Sequence, residues 1–224
     1  DASAAVLAPY RDVAVSVTGF PATASSTAVM LAAADVRLSG LQSSATVGLV
    51  STGSSLTGTM SVPAPQAPLL QTRVTLVDSG VAQVYSRADP ANVTSVSIDM
   101  ANLLLPNIAS SPAFDVVDQT VSWTEANGSA TPDAVLASVR ASRDAGSLTR
   151  LVVGPYNNGS IRIPALPDGA FNPVATDSID LVSLSLIRAG GGYQRVRQNF
   201  IDIPSLGFTG ADDFVSRNFR ASNQ

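Results

Sequence analysis

Residues 121–128 read VSWTEANG, and Glu125 in that stretch is the one glutamate in 224 residues. A carboxylate two positions from an indole is a plausible start for chemistry on sugars. Glycoside cleavage needs an acid and a base flanking the scissile bond, and aromatic rings commonly stack on sugar faces. The plainer reading makes Trp123 a core residue of a mid-sandwich strand and Glu125 the start of the turn after it. The plainer reading is favoured, because a lone Trp on a mid-sandwich strand is usually a core residue.

The other acidic motif is TLVDSGV (75–81), an apolar strand running into Asp78-Ser79-Gly80. Two-aspartate peptidases use such a turn, and LVVG (151–154) resembles their later apolar-apolar-Gly element. Their mechanism shares one proton between two aspartates, so a single motif would require two copies of the chain. Asp-Ser-Gly is also ordinary hairpin chemistry. Other catalytic classes fall away by composition. The chain has no His, no Cys and no Lys, all thirteen basic residues being Arg. Imidazole relays, thiol nucleophiles, Schiff bases and thiolate or imidazole metal sites are therefore excluded. No Gly-rich phosphate-binding signature occurs. The expectation is a non-enzymatic protein without a cofactor.

Oxygen ligands alone could hold a metal. Asp115 and Asp118 in FDVVDQ are the candidates for calcium at a junction between modules, with Asp177 and Asp180, and Asp212 and Asp213, as further acidic pairs. None has the spacing of a dedicated calcium loop, and Asp is the common polar residue of turns. The most binding-like loop is VGPYNNGS (153–160), where Tyr156, Asn157 and Asn158 could meet sugar hydroxyls. Tyr193 and Arg195 in GGGYQRVR could lie near one end of the same domain. A tight Asn-Asn-Gly turn accounts for the loop equally well. Asn92, Asn127 and Asn158 head N-x-[ST] sequons, acceptors only in a eukaryotic secreted chain.

These residues have to be positioned by strands. Apolar residues make up 45% of the chain and charged ones 13%, enough for a core and too little charge for disorder. The formal net charge of −4 and scattered arginines argue against nucleic acid as a partner. No stretch approaches the roughly 18 apolar residues of a membrane span. In RDVAVSVTG (11–19), Val13, Val15 and Val17 share one side, the period-two mark of a half-buried strand. Alternation recurs at 45–51, 72–77, 81–86, 93–100, 119–124, 149–154, 159–163, 180–187 and 193–200, between Gly, Pro, Asn, Asp and Ser clusters. Two segments stay ambiguous. TPDAVLASVRASRDAG (131–146) has helix punctuation at Thr131, Pro132 and Gly146, yet Val135, Ala137, Val139 and Ala141 alternate; TAVMLAAADVRLSG (27–40) behaves the same way. The β surroundings favour strands for both.

One pattern occurs twice: GTMSVPAP (58–65) and GSIRIPALP (159–167). Each runs from Gly through alternating apolar positions to Pro-Ala, and proline, lacking an N–H, suits the end of an edge strand. Aligning them sets 35–40 against 138–143 and 47–50 against 150–153, and places a hairpin after each (72–87 and 180–197). This reads as a tandem duplication, with chance similarity as the alternative. The Pro/Ser-rich LLLPNIASSPAF (103–114) reads as the linker, its three leucines packed against something.

In the second half, Trp123, the segment Gly159, Ile161, Ile163, Pro164, Leu166 and Pro167, and then Gly191, Gly192, Tyr193 and Arg197 resemble the Ig-like, carboxypeptidase-regulatory-like β-sandwich regions of exported proteins and lipoproteins of Gram-negative bacteria. The resemblance covers roughly 117–200. It implies a surface or periplasmic setting and a non-catalytic role, and it transfers no functional residues. The first half departs from it by lacking the Trp and the Gly-Gly-Tyr.

The expectation is thus an all-β chain of two tandem Ig-like antiparallel β-sandwich domains, 1–110 and 111–224, the second with a C-terminal tail. Its expected role is structural or adhesive at the cell surface or in an extracellular assembly, with other protein chains, copies of itself included, or polysaccharide as partners. A start at Asp1 without Met fits a chain whose export signal has been removed.

Overall fold

The structure is a computed structural model that describes residues 10–34, 43–47, 55–63, 69–78, 81–126, 128–143, 146–198 and 214–222. These fall into two compact units. The first comprises residues 10–78 and 84–102, the second residues 81–83, 103–198 and 214–222.

In the first unit, β1 (Tyr10–Thr18) runs through the middle of a three-stranded sheet. The unit's further described strands are β2 (Ala24–Ala34), β3 (Ser43–Val47), β4 (Ser55–Pro63), β5 (Leu69–Asp78), β6 (Val81–Pro90, of which residues 81–83 fall in the second unit) and β7 (Ser95–Asp99). β4 lies antiparallel to β1 on one side, and β7 parallel to it on the other. The facing sheet has the order β3-β2-β5-β6. The alternation in the sequence is what closes this unit. Val13, Val15 and Val17 from β1, Leu56, Met60 and Val62 from β4 and Val96 and Ile98 from β7 are buried on one sheet. Val29, Leu31, Leu70, Val74 and Leu76 are buried on the other. Each such side chain contributes about 1.5–3 kcal/mol of transfer free energy.

The second unit repeats this plan. Its strands are β8 (Asn107–Ile108), β9 (Ala113–Asp115), β10 (Thr120–Ser122), β11 (Glu125–Ala126), β12 (Ala134–Arg143), β13 (Gly146–Pro155), β14 (Ser160–Arg162), β15 (Ser178–Ala189) and β16 (Phe214–Ser222). One sheet has the order β14-β10-β9, a short ladder joins β11 to β8, and the main sheet runs β13-β12-β15-β16. The order β3-β2-β5-β6 of the first unit therefore recurs as β13-β12-β15-β16. The two Gly-to-Pro segments occupy matching places. β4 ends at Pro63 and β14 stops just before Pro164, and both are outer strands antiparallel to a central one. The third strand differs, since β7 follows its hairpin and runs parallel whereas β9 precedes β10 and runs antiparallel.

The two ambiguous segments resolve as strands among the described residues, 131–146 through β12 (Ala134–Arg143) with 144–145 outside them, and 27–40 through β2 as far as Ala34. Residues 35–40 lie outside the described residues, as do 48–51, 79–80, 127, 199–200 and 212–213. The strand expected at 193–200 is corrected. Gly191 and Gly192, at φ +87° and +66°, terminate β15, and α1 (Gly192–Gln198) follows. The helix sets Tyr193 and Val196, three apart, on one face, which packs on Ala134, Ile187, Ala189 and Phe214 with Leu136 and Val153. The hairpin drawn over 180–197 is therefore a strand followed by a helix.

The leucines of 103–105 are bound into the second unit. Gln83, fully buried, donates from Nε2 to Leu103 O at 3.0 Å and accepts from Leu105 N at 3.0 Å. Arg217, also buried, donates to Leu105 O at 3.0 Å. Among the described residues no helix is long and apolar enough to cross a membrane.

Candidate binding end of the second unit

β12 fixes the frame. Just before it, Asp133 donates its N–H to Ile187 O (2.8 Å), accepts from Ala189 N at Oδ2 (3.0 Å) and accepts from Tyr156 N at its carbonyl (3.1 Å). One residue thus ties the end of β15, the start of β12 and the exit of β13 together. At the far end of β12, about 30 Å away for a ten-residue strand, Arg143 grips a different set of loops.

At the Asp133 end, Asn157-Asn158-Gly159-Ser160 forms a tight turn closed by Ser160 N–H to Asn157 O at 3.3 Å. Gly159 sits at φ +88°, the conformation that the third position of a type II turn requires. A Cβ there would lie 3.0 Å from Trp123 O, and Trp123 N donates to Gly159 O at 2.9 Å. The turn is therefore seated directly on the Trp123 backbone. Asn157 and Asn158 are exposed and Tyr156 is half-buried.

Glu125 joins these pieces. Trp123 Nε1 donates to Glu125 Oε1 at 2.7 Å, and the Tyr156 hydroxyl donates to Oε2 at 2.6 Å. Burial pushes the Tyr156 phenol up to about 12, and the bond to Glu125 and its negative charge push the same way. Both carboxylate oxygens already hold donors from their own fold, so Glu125 acts as an acceptor that fixes two aromatic side chains.

Of the residues singled out from sequence, Tyr156, Asn157 and Asn158 form one exposed corner with Glu125 beneath. Tyr193 and Arg195 reach the same end but on α1. The Tyr193 ring is part of the cluster that packs the helix down, and Arg195 lies over Gly191, where a Cβ would come within 3.2 Å of Arg195 Cβ. Tyr193 therefore sits on the helix–sheet contact and Arg195 beside the Gly191 turn.

The calcium candidates are turn residues. Asp115 Oδ1 accepts from Val117 N (2.8 Å) and Asp118 N (3.2 Å), and Gln119, at φ +53°, completes the reversal between β9 and β10. This local bonding is the reason the pair sits where it does. Among the described residues no group of three or more acidic side chains gathers as metal ligands. Asp177 is also occupied. Arg143 Nε reaches Oδ1 at 2.6 Å and its terminal nitrogen reaches Oδ2 at 2.7 Å, while Val174 N–H donates to Oδ2 at 2.9 Å. These bonds hold the Asp177 carboxyl down at about 2, the Arg143 hydrogen bonds contributing most. Asp180 accepts from the Ser142 hydroxyl. Asp78, at the end of β5, is buried and the rest of its Asp-Ser-Gly turn lies outside the described residues.

Sequence reasoning did not find the roles of Asp133, Arg143 or Asp177. For Glu125 a signal was present: residues two apart on an extended chain share a face, which puts the carboxylate beside the indole.

No family model matches the chain, and no curated protein matches it. Among solved structures, a cytokine receptor complex aligns over 80% of this chain and 91% of its own at 15% identity and a TM-score of 0.23. CBD12 from CALX1.2 aligns over 89% and 84% at 10% identity and a TM-score of 0.19. Overlaps of this size carry no statement about architecture or activity, both of which rest on the chain's own strand order and side chains.

Proposed function

We propose that this chain is a non-enzymatic β-sandwich component of a cell surface or extracellular assembly, exported and working by adhesion and not by turnover. The observation that carries the reading is the occupancy of the acidic groups. Glu125 holds Trp123 and Tyr156, Asp115 closes a turn, Asp133 ties three strand ends, and Asp177 is clasped by Arg143. With no His, Cys or Lys in the chain, groups that accept fixed internal bonds leave little to act on a substrate near neutrality. The test pairs a hydrolysis panel with a retention assay. Purified chain should stay on intact cells or matrix and leave peptide and glycoside substrates intact. Hydrolysis that disappears on Asp78→Asn or Glu125→Gln would overturn it.

A second reading, a carbohydrate-binding module, is supported by the exposed Asn157 and Asn158 amides held beside Tyr156. A polysaccharide retained by the native chain and released by Asn157→Ala with Asn158→Ala would favour it; an empty glycan array would remove it.

A further inference from the structure

The main sheet of the second unit ends on β13, which among the described residues pairs with β12 alone. Free edges are normally guarded by proline, lysine, a bulge or short length. β14 is three residues long and followed by Pro164, and β4 ends in Pro63. By contrast β13 runs ten residues in unbroken register with β12, its only proline is the last residue, and Leu151 is 50% exposed. Its single charge does not guard it. Arg150 donates to Asn172 Oδ1 at 2.9 Å and to Pro164 O at 2.5 Å, so its guanidinium is drawn back into its own unit.

The ladder fixes which backbone groups face outward. Tyr156 N–H bonds Asp133 O, and that pair continues the register Ala134↔Pro155 through Arg143↔Gly146. In an antiparallel pair hydrogen-bonded positions alternate. The even-numbered residues of β13 therefore bond β12, and Ser147, Thr149, Leu151 and Val153 aim their N–H and C=O away from it.

We infer that β13 is a self-association edge: it takes a second copy of this chain by antiparallel β13–β13 pairing about a two-fold axis at Leu151. A two-fold through an antiparallel ladder sets one residue opposite its own copy. Centring on Arg150 would oppose two guanidinium-bearing residues directly, which is unfavourable, and centring on Thr149 or Val152 shortens the overlap. At Leu151 the overlap runs from Ser147 to Pro155. Arg150 then faces Val152 of the other copy, Thr149 faces Val153, and Leu151 meets Leu151, with about eight new ladder bonds. A second copy is favoured over an unrelated strand because the outward N–H and C=O groups from Ser147 to Pro155 match their own copies over the whole length of the strand, with no carboxylate or arginine set opposite Arg150.

This inference rests on the assembly reading above and names its partner, yet the two fail separately. A monomeric chain that still stays on surfaces would end this inference and leave that reading standing. The native chain should sediment as twice its 22.9 kDa mass. Because the chain contains no cysteine, Leu151→Cys supplies the only thiol. Residues in a hydrogen-bonded antiparallel pair lie about 5.5 Å apart at Cα, inside the range a disulfide spans. Mild oxidation should therefore link most of the Leu151→Cys chain into covalent dimers, while Arg162→Cys, on exposed β14, stays uncoupled. Thr149→Pro removes an outward N–H without touching the bonds to β12 and should sediment as monomer. If it fails to fold, Leu151→Asp, at a half-exposed side chain, replaces it with the same expectation. A native chain that sediments as monomer, or a Leu151→Cys chain that couples no faster than Arg162→Cys, overturns the inference.

Discussion

Glu125→Ala removes the acceptor of two aromatic donors at once. Trp123 is 7% exposed, so its indole N–H has little water to turn to when the 2.7 Å bond to Glu125 is lost. A hydrogen bond to a charged group contributes about 1.5–3 kcal/mol, and an orphaned buried donor costs about 1–3 kcal/mol. The Tyr156 hydroxyl is only partly buried and recovers solvent, so its 2.6 Å bond adds about 1 kcal/mol at most. The expected loss for the second unit is about 2–4 kcal/mol. Glu125→Gln keeps one acceptor oxygen and should lose about half of that. Trp123 is the one tryptophan, so its fluorescence in a urea titration follows the second unit alone. With a slope of about 2 kcal/mol per molar, the midpoint should fall by about 1–2 M for Glu125→Ala. A change within about 0.5 kcal/mol, the ordinary range of a surface substitution, would show that the carboxylate does not hold these rings and would refute the reasoning.

Three further outcomes follow from the same contacts. Asp177 is held at about 2 against an ordinary 3.8. Its contribution is present above the ordinary value and fades as pH falls towards 2; Asp177→Asn should flatten that acid limb in an unfolding series, and an unchanged limb would contradict it. Tyr156, raised to about 12 from 10.0, stabilises below pH 10 and loses that contribution as pH climbs towards 12; ultraviolet titration of the phenolates should show one late tyrosine that moves earlier in Glu125→Gln. Gly159→Ala should destabilise by about 1–3 kcal/mol through its positive φ and the 3.0 Å approach to Trp123 O, read as a lower melting temperature with the turn sequence otherwise intact.

What the sequence disclosed and what it hid divide by the range of the interaction. Period-two stretches such as Val13, Val15 and Val17, or β5 with every second residue buried, are local, because burial on one face of a strand is written at spacing two. The repeated Gly-to-Pro segment was legible for the same reason, and both copies end outer strands. The helix at 192–198 was hidden. Residues 193–200 offer a weak alternation, and only the outer face of β12, β13 and β15 supplies the apolar surface that Tyr193 and Val196 cover. The candidate corner was half legible. Tyr156, Asn157 and Asn158 announce a turn, but the Glu125–Tyr156 bond spans 31 positions, Arg143–Asp177 spans 34 and Ala189–Asp133 spans 56. No pattern in one sequence fixes contacts at those separations, so Asp115 and Asp118 stood out for their place near the junction between modules while Asp133 went unnoticed.

The most direct test of the whole account is hydrogen exchange at the Trp123 indole N–H, a single resonance in this chain. If the acidic groups are tied up by the fold, that proton should exchange slowly in the native chain and markedly faster in Glu125→Gln. An indole that exchanges at the rate of free tryptophan, with the chain folded, would mean that Glu125 does not hold Trp123, and would contradict the occupancy on which the non-catalytic reading rests.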